Sequence, residues 1–262
     1  MSIADVSVIV PCFNSEKTLL RAIQSVLMQT LLPREIIIID DGSASATYLD
    51  EYYSIINRDA NVQIIKLNKN MGASHARNIG ISSSNSSYIA FLDADDCWHP
   101  KKIEIQFPLT AKSSHKISAH RYLPNLNKND FLIHTKIRCS SISYRKLLFK
   151  NYFATPTVMA LKSDFILFDE ALQRMEDHKC WIENTLCQPA LFIDAALAGG
   201  FKKPLGEAGL SQDIPAMHTD AMRVFQLLKN DKKISLAEYL LASSFEKLKY
   251  LYRQNRMQSK AH

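Results

Sequence analysis

Glycine is scarce in this chain, with seven among 262 residues and no G-x-G-x-x-G turn. That absence speaks against a dinucleotide-dependent oxidoreductase, whose phosphate turn needs such glycines. It also speaks against a sugar nucleotidyltransferase, which opens on a glycine-rich, basic loop. Cysteine is present without a pattern. Cys12, Cys97, Cys139, Cys180 and Cys187 are odd in number and scattered, with no C-x-x-C pair, which argues against a disulfide framework or a thiolate zinc site and fits a reducing cytoplasm. Long apolar runs are missing: nowhere do 18 apolar residues follow one another, and Met1-Ser-Ile-Ala-Asp5 carries neither a basic nor an apolar leader segment. The expectation is a soluble or peripheral protein, neither secreted nor membrane-spanning. Acid is the minority charge, with 26 Asp and Glu against 32 Lys and Arg and a net charge of +6. An anionic partner is implied, which could be a nucleotide diphosphate, a nucleic acid or an anionic membrane surface. Nucleic acid is set aside, because the basic residues are spread out rather than clustered with stacking aromatics, except near the C-terminus.

What is present is enough for a sizeable core, since 47% of the residues are hydrophobic. Val6-Ser-Val-Ile-Val-Pro11 reads as a buried strand. From Ser15, a plausible N-cap, apolar residues at Leu19, Leu20, Ile23, Val26 and Leu27 have helical spacing. Pro33 breaks the chain before a second buried run, Glu35 to Asp40. A helix over 48–57, a strand over 62–67, a turn over 68–72 and a helix over 73–83 follow. The next strand, Tyr88-Ile-Ala-Phe-Leu, stops at Asp93, Asp95 and Asp96. Short strands without a polar face, alternating with helices, call for a parallel sheet covered on both sides, with ligands beyond the carboxyl ends of the strands. Three acids at such a place suggest either a bound metal or a solvated turn.

Beyond Pro100 the rhythm changes to a helix over 101–110 broken by Pro108, strand-like runs over 116–123, 131–139 and 157–161, and a helix from Glu176 bearing Trp181, Ile182 and Leu186 on one face. Acids at a helix start also favour the macrodipole, which is an alternative account of Glu176 and Asp177. A long helix over 234–257 carries Leu236, Tyr239, Leu240, Phe245, Leu248 and Leu251 together with Lys247, Lys249, Arg253 and Arg256. It could dock on its own domain or lie on an anionic membrane surface.

Four linked segments, Val6 to Asn14, Ile39-Asp-Asp-Gly-Ser43, Asn70 to Gly80 and Phe91-Leu-Asp-Ala-Asp-Asp-Cys-Trp-His-Pro100, resemble the family 2 glycosyltransferases of GT-A fold, in that family's order and spacing. Phe168-Asp-Glu170 and Glu176 to Trp181 resemble its later segment. The segments 112–151 and everything after Gly209 match nothing in the family. The resemblance implies an α/β protein with a Rossmann-like nucleotide-binding half on a mainly parallel sheet (1–110), a mixed acceptor-binding half (111–215) and C-terminal helices (216–262).

It further implies an inverting transfer from a nucleotide-sugar donor, such as a UDP-sugar, to a saccharide or lipid-linked saccharide, as in cell-surface polysaccharide synthesis at the cytoplasmic face of the inner membrane. A divalent ion, Mn2+ or Mg2+, would offset the charge growing on the departing diphosphate. By resemblance Asp95 is the metal ligand, Asp93 meets ribose or metal-bound water, and Asp96 supports either. Asp41 accepts from the base, Pro11 and Phe13 wall the ring with Arg77 close by, and Asn14, Glu16 and Ala94 complete the nucleotide set. Asp177 is the base that takes the acceptor proton. Glu176 orients the acceptor, with His178 and Trp181 grouped beside it, although His178 also reads as a solvent-facing helix residue. A catalytically silent assembly subunit of the same fold is a competing reading, against which the retained acids count.

Overall fold

The computed structural model describes residues 2–45, 49, 52, 61–126, 131, 137–201 and 213–258. Four parallel strands carry the N-terminal half: β1 (Ile3–Cys12), β2 (Leu32–Asp40), β3 (Val62–Lys66) and β4 (Tyr88–Phe91), side by side in the order β3-β2-β1-β4. Strands buried on both faces need apolar residues at every position, and β2 shows it. Ile36 and Ile38 join Val8 and Val10 of β1 beneath α1 (Leu19–Leu27), while Ile37 and Ile39 join Ile9 on the other face, against α2 (Ala73–Ser83). Each isoleucine buried this way contributes about 1.5 to 3 kcal/mol of transfer free energy. Gly80 keeps α2 close to the sheet, because a Cβ there would stand 2.5 Å from Ile9 and 2.7 Å from Ile39.

The second half adds β5 (Asp96–Trp98), α3 (Lys102–Ala111), β6 (Ile117–Leu123), β7 (Cys139–Ile142), α4 (Tyr144–Phe149), β8 (Met159–Leu161), α5 (Glu176–Asn184) and β9 (Ala190–Gly200). Its strands extend the same sheet past β4 in the order β8-β6-β9-β5, with β7 also on β9. Pairing there is mixed: β8 runs antiparallel to β4 and β6, whereas β6 and β9 are parallel. One α/β sheet thus carries both halves, parallel at one end and mixed at the other. The helices α6 (Ile214–Asn230) and α7 (Leu236–Gln258) form a hairpin. No helix among the described residues is long and apolar enough to cross a membrane.

Several local expectations are corrected. Ser15 does not cap α1, which starts at Leu19; its hydroxyl bonds the backbone of Phe13, while its carbonyl accepts from Thr18 and Leu19. Pro33 lies inside β2, near its start and opposite Ala4, where a missing N–H is tolerated. Pro108 sits within α3 rather than breaking it, at the loss of one N–H from the hydrogen-bond ladder. The strand-like run over 157–161 contains β8 (Met159–Leu161), entered from a 3-10 turn over Thr155–Thr157. The expected helix over 48–57 lies outside the described residues except for Leu49 and Tyr52, as does most of the run over 131–139. The longest strand, β9, has no counterpart in the sequence reading, since Ala and Gly are poor strand formers. Tertiary contact selects them: a side chain on Gly200 would collide with Tyr122 and Asp96.

Candidate active site

A cleft of about 560 Å³ opens at the carboxyl ends of β1, β2 and β4, at the switch point where strand order reverses about β1. Its walls are Pro11 to Ser15, Asp41, Asn70, Gly72, Ala73, Arg77 and Asp93 to Asp95. Two loops close on each other at its base. Asn14, held in a left-handed conformation at φ 48°, accepts from Ala44 N at 3.1 Å and donates its own N–H to Ser43 Oγ at 2.8 Å. Gly42 has φ 72°, and a Cβ on it would lie 2.5 Å from the carbonyl carbon of Lys69. Only glycine fits this turn without strain.

Asp41 is buried, and its carboxylate accepts from Met71 N and Gly72 N, both at 2.8 Å. It therefore ties the β2 turn to the entry of α2, and each oxygen keeps a further lone pair. Phe13 is exposed along one wall and Pro11 and Ala94 complete the lining. Glu16 is exposed just beyond the residues that line the cleft, and its carbonyl accepts from Tyr52 Oη at 2.6 Å.

The three acids after β4 diverge. Asp93 accepts from Arg77 Nη2 at 2.9 Å. Asp96 is buried and takes Tyr122 Oη at 2.8 Å, so it braces β5 against β6 and leaves the cleft. Asp95 stays half-exposed on the cleft wall, with its carbonyl held by Arg21 Nη2 at 3.1 Å. Among the described residues no three or more His, Cys, Asp or Glu converge into a metal-holding group. The donor set still suits a hard ion. Asp95 and Asp93 offer carboxylate oxygens at the mouth of the cleft, and Mg2+ or Mn2+ bound with a diphosphate takes only one or two carboxylates from the protein.

Arg77 links this cleft to α5. The side chain is buried, its second arm Nη1 reaches Glu176 Oε1 at 3.1 Å, and it lies 5.3 Å from the centre of the Phe168 ring. Nearby carboxylates hold it firmly protonated, against the opposing effect of burial. Arg77, expected close to the nucleotide ring, lines the cleft and also bridges Asp93 and Glu176. Asn78 fixes the neighbouring segment, exchanging hydrogen bonds with the Phe168 backbone and donating to Glu170 at 2.8 Å.

Glu176 and Asp177 open α5 immediately after Met175, which is left-handed at φ 60°. Burial pushes the Glu176 carboxyl up, reinforced by the charge of Asp177 and opposed by Arg77. Burial likewise raises Asp177, against hydrogen bonds from His178 N at 2.6 Å and Asn151 Nδ2 at 3.0 Å. Two acceptor-side assignments are corrected. His178 is neither at an acceptor surface nor in solvent: it is buried, bonds Leu147 O through Nε2 at 2.6 Å, and is lowered to about 4 by burial. Trp181 is fully buried among Phe91, Phe165 and Phe168. Both anchor the inner side of α5, because an amphipathic helix turns its large side chains to the core and leaves its first-turn acids at the rim. Sequence reasoning missed Asn151, 26 residues before its partner, and Arg21; neither carries a local signal, since only the packing of α4 and α1 delivers them.

The sequence profile of glycosyl transferase family 2 matches residues 7–177, from β1 to the first turn of α5. An uncharacterized glycosyltransferase of Rickettsia felis is 35% identical over 181 residues, which cover 68% of this chain and 29% of that protein. The chain thus spans less than a third of the length of the Rickettsia relatives it matches, at 29% in each of three cases. WfgD of Escherichia coli, named a UDP-Glc:alpha-D-GlcNAc-diphosphoundecaprenol beta-1,3-glucosyltransferase, is 28% identical over 177 residues, with 68% of each chain covered. Among solved structures, S. aureus TarS 1-349 in complex with UDP-GlcNAc superposes with a TM-score of 0.68 at 17% identity, over 93% of this chain and 70% of that one. Likeness at that identity speaks for the fold.

Proposed function

The chain belongs to glycosyl transferase family 2, and from that premise we propose that it transfers a hexosyl or N-acetylhexosaminyl group from a UDP-sugar to a hydroxyl of a saccharide acceptor, with inversion at the anomeric carbon. The observation that carries the reading is the Arg77 bridge, which brings Asp93 of the cleft and Glu176, next to Asp177, into one site. A single in-line displacement needs a leaving-group subsite and a base on opposite sides of one carbon, and the bridge joins two such acid-bearing surfaces.

In this reading Phe13 and Pro11 flank the base and Asp41 accepts from it, through the lone pairs that Met71 and Gly72 leave free. Asp93 and Ala94 lie along the ribose. Asp95, with Asp93, would hold Mn2+ or Mg2+, and the ion would supply a positive charge to the diphosphate as it leaves. The acceptor oxygen bonds to the anomeric carbon as the bond to the diphosphate oxygen breaks, and the hydroxyl proton passes to Asp177. Burial raises that carboxyl toward the range where a base works best near neutral pH. Glu176, held by Arg77, orients the acceptor. A UDP-sugar is supported by the names of WfgD and of the TarS complexes with UDP and UDP-GlcNAc. A lipid-linked acceptor is supported by the diphosphoundecaprenol in the WfgD name.

Screening a panel of nucleotide sugars for hydrolysis, with and without Mn2+ or Mg2+, beside calorimetry on Asp95→Ala, tests the reading. The expected outcome is hydrolysis of a UDP-sugar only when the ion is present, and loss of metal-dependent UDP affinity in the variant with the melting temperature kept. Unchanged binding of UDP and Mn2+ by Asp95→Ala would remove Asp95 from this role, and inertness toward the whole panel would favour the silent reading.

A further inference from the structure

The outer face of α7 is the strongest feature away from the cleft. Ala242, Ser243 and Glu246 turn inward, and the helix packs on α6 and α4. Leu240, Leu241, Leu248, Leu251 and Tyr252 point the other way, each 54 to 67% exposed. At 3.6 residues per turn these five fall within about 120° of arc, directly opposite the buried side. The apolar residues of this helix divide between two faces: Tyr239 faces the core and the leucines face out. A mostly apolar stripe of this kind, with only Ser244 and Asn255 among its exposed polar residues, marks a surface meant to be covered.

Charge selects what covers it. Glu238 and Glu246 are both folded away from the stripe: Glu238 accepts from Tyr144, Arg145 and Ser235, and Glu246 pairs with Lys249 at 2.5 Å and Arg253 at 3.7 Å. Among the described side chains, Lys247 is the exposed charge of α7 that borders the stripe, Arg253 standing on the Glu246 side, and the adjoining α4 exposes Arg145, paired with Glu238, and Lys146. A second copy of α7 would bring these cations against their own kind, whereas an anionic bilayer meets apolar stripe and cationic rim together.

We propose that this face of α7 lies in the headgroup region of an anionic lipid bilayer, leucines inward and basic side chains at the level of the lipid phosphates. The proposal for the surface stands apart from the sugar chemistry; that it presents a lipid-carried acceptor to Asp177 rests on the function proposed above. The route is short. Tyr144 and Arg145 of α4 bond Glu238, Phe149 meets the Phe245 ring at 5.4 Å between centroids, and Asn151, just past α4, donates to Asp177 at 3.0 Å.

The test is sedimentation of the whole chain with phosphatidylcholine vesicles containing about 30% phosphatidylglycerol, or none, at low and high salt. The anionic vesicles should carry the protein down, with binding at least about tenfold weaker to neutral vesicles, at high salt, or in Leu241→Gln/Leu248→Gln/Leu251→Gln. Because the three leucines are exposed, that variant should keep the melting temperature of the parent, which separates a lost surface from a lost fold. Neither readout needs a nucleotide sugar, so failure here leaves the transferase reading untouched. An intact chain that stays in the supernatant with anionic vesicles, or a variant that sediments as well as the parent, would overturn the proposal. A concentration-dependent dimer abolished by the variant, without vesicle binding, would overturn it in favour of a second copy.

Discussion

The acids at the two ends of Arg77 live in different surroundings. At the cleft end, Asp93 meets one guanidinium arm, with Asp95 half-exposed beside it. At the α5 end, Glu176 and Asp177 sit half-buried in the first turn of the helix, and burial raises both carboxyls. One residue type therefore serves two purposes. Acids fixed at an open, polar mouth suit cation and hydroxyl binding, whereas desolvated acids gain affinity for a proton.

The largest effect that would break this contrast is catalytic. Asp177→Asn keeps its shape and Asn151 contact but cannot take a proton, so transfer should fall about a hundredfold to ten-thousandfold while UDP affinity holds. In the parent, kcat/KM should rise with pH through the raised Asp177 range, because the base acts deprotonated. Turnover measured side by side decides the assignment: if Glu176→Gln loses transfer and Asp177→Asn keeps it, the base is the other carboxylate, and if Asp177→Asn only lowers the melting temperature, the acid merely stabilises the helix start.

Next comes the bridge itself. Arg77→Met should destabilise the fold by about 3 to 5 kcal/mol, since Asp93 and Glu176 lose their shared cation in a buried setting. Arg77→Lys should recover only part of this, because an ammonium lacks the two-armed fork that reaches both acids. Urea denaturation measures both, and a loss below about 1 kcal/mol would mean that solvent already screens the pair.

The smallest effect concerns what holds α5 in place. His178 titrates near 4 in the fold against an ordinary value of 6.5, so the unfolded chain binds the extra proton between those values. Stability is full above about pH 6.5 and falls as pH drops toward 4, by about 3 kcal/mol in total. His178→Gln should flatten that part of a stability-versus-pH curve, while the slope from the similarly buried His120 persists. Parallel curves for parent and variant would show that His178 is solvated.

Much of the cleft was legible because its residues are local. The strand ends, the Gly42 turn and Asp41, Asp93 and Asp95 belong to short segments in which periodicity and turn chemistry set the geometry within a few residues. The acceptor side was less legible. Glu176, Asp177 and the apolar face of Trp181 and Ile182 stand out in the sequence, but the burial of His178 against α4 does not. Which face of a nine-residue helix is buried depends on the aromatics of Phe91, Phe165 and Phe168 that wait for it, and those come from other elements.

By itself, then, the sequence determined the alternating parallel half, the place of the cleft beyond its strand ends and the identity of the acids there, since short β-branched apolar runs bounded by turn residues suit strands covered on both sides. The tertiary structure alone decided that Arg77 spans the two acid groups, that Asp96 turns away to Tyr122, that the alanine- and glycine-rich β9 is a strand, and that the leucines of α7 face outward. Each of those depends on contacts between segments far apart in the chain, where burial and close approach override local preference.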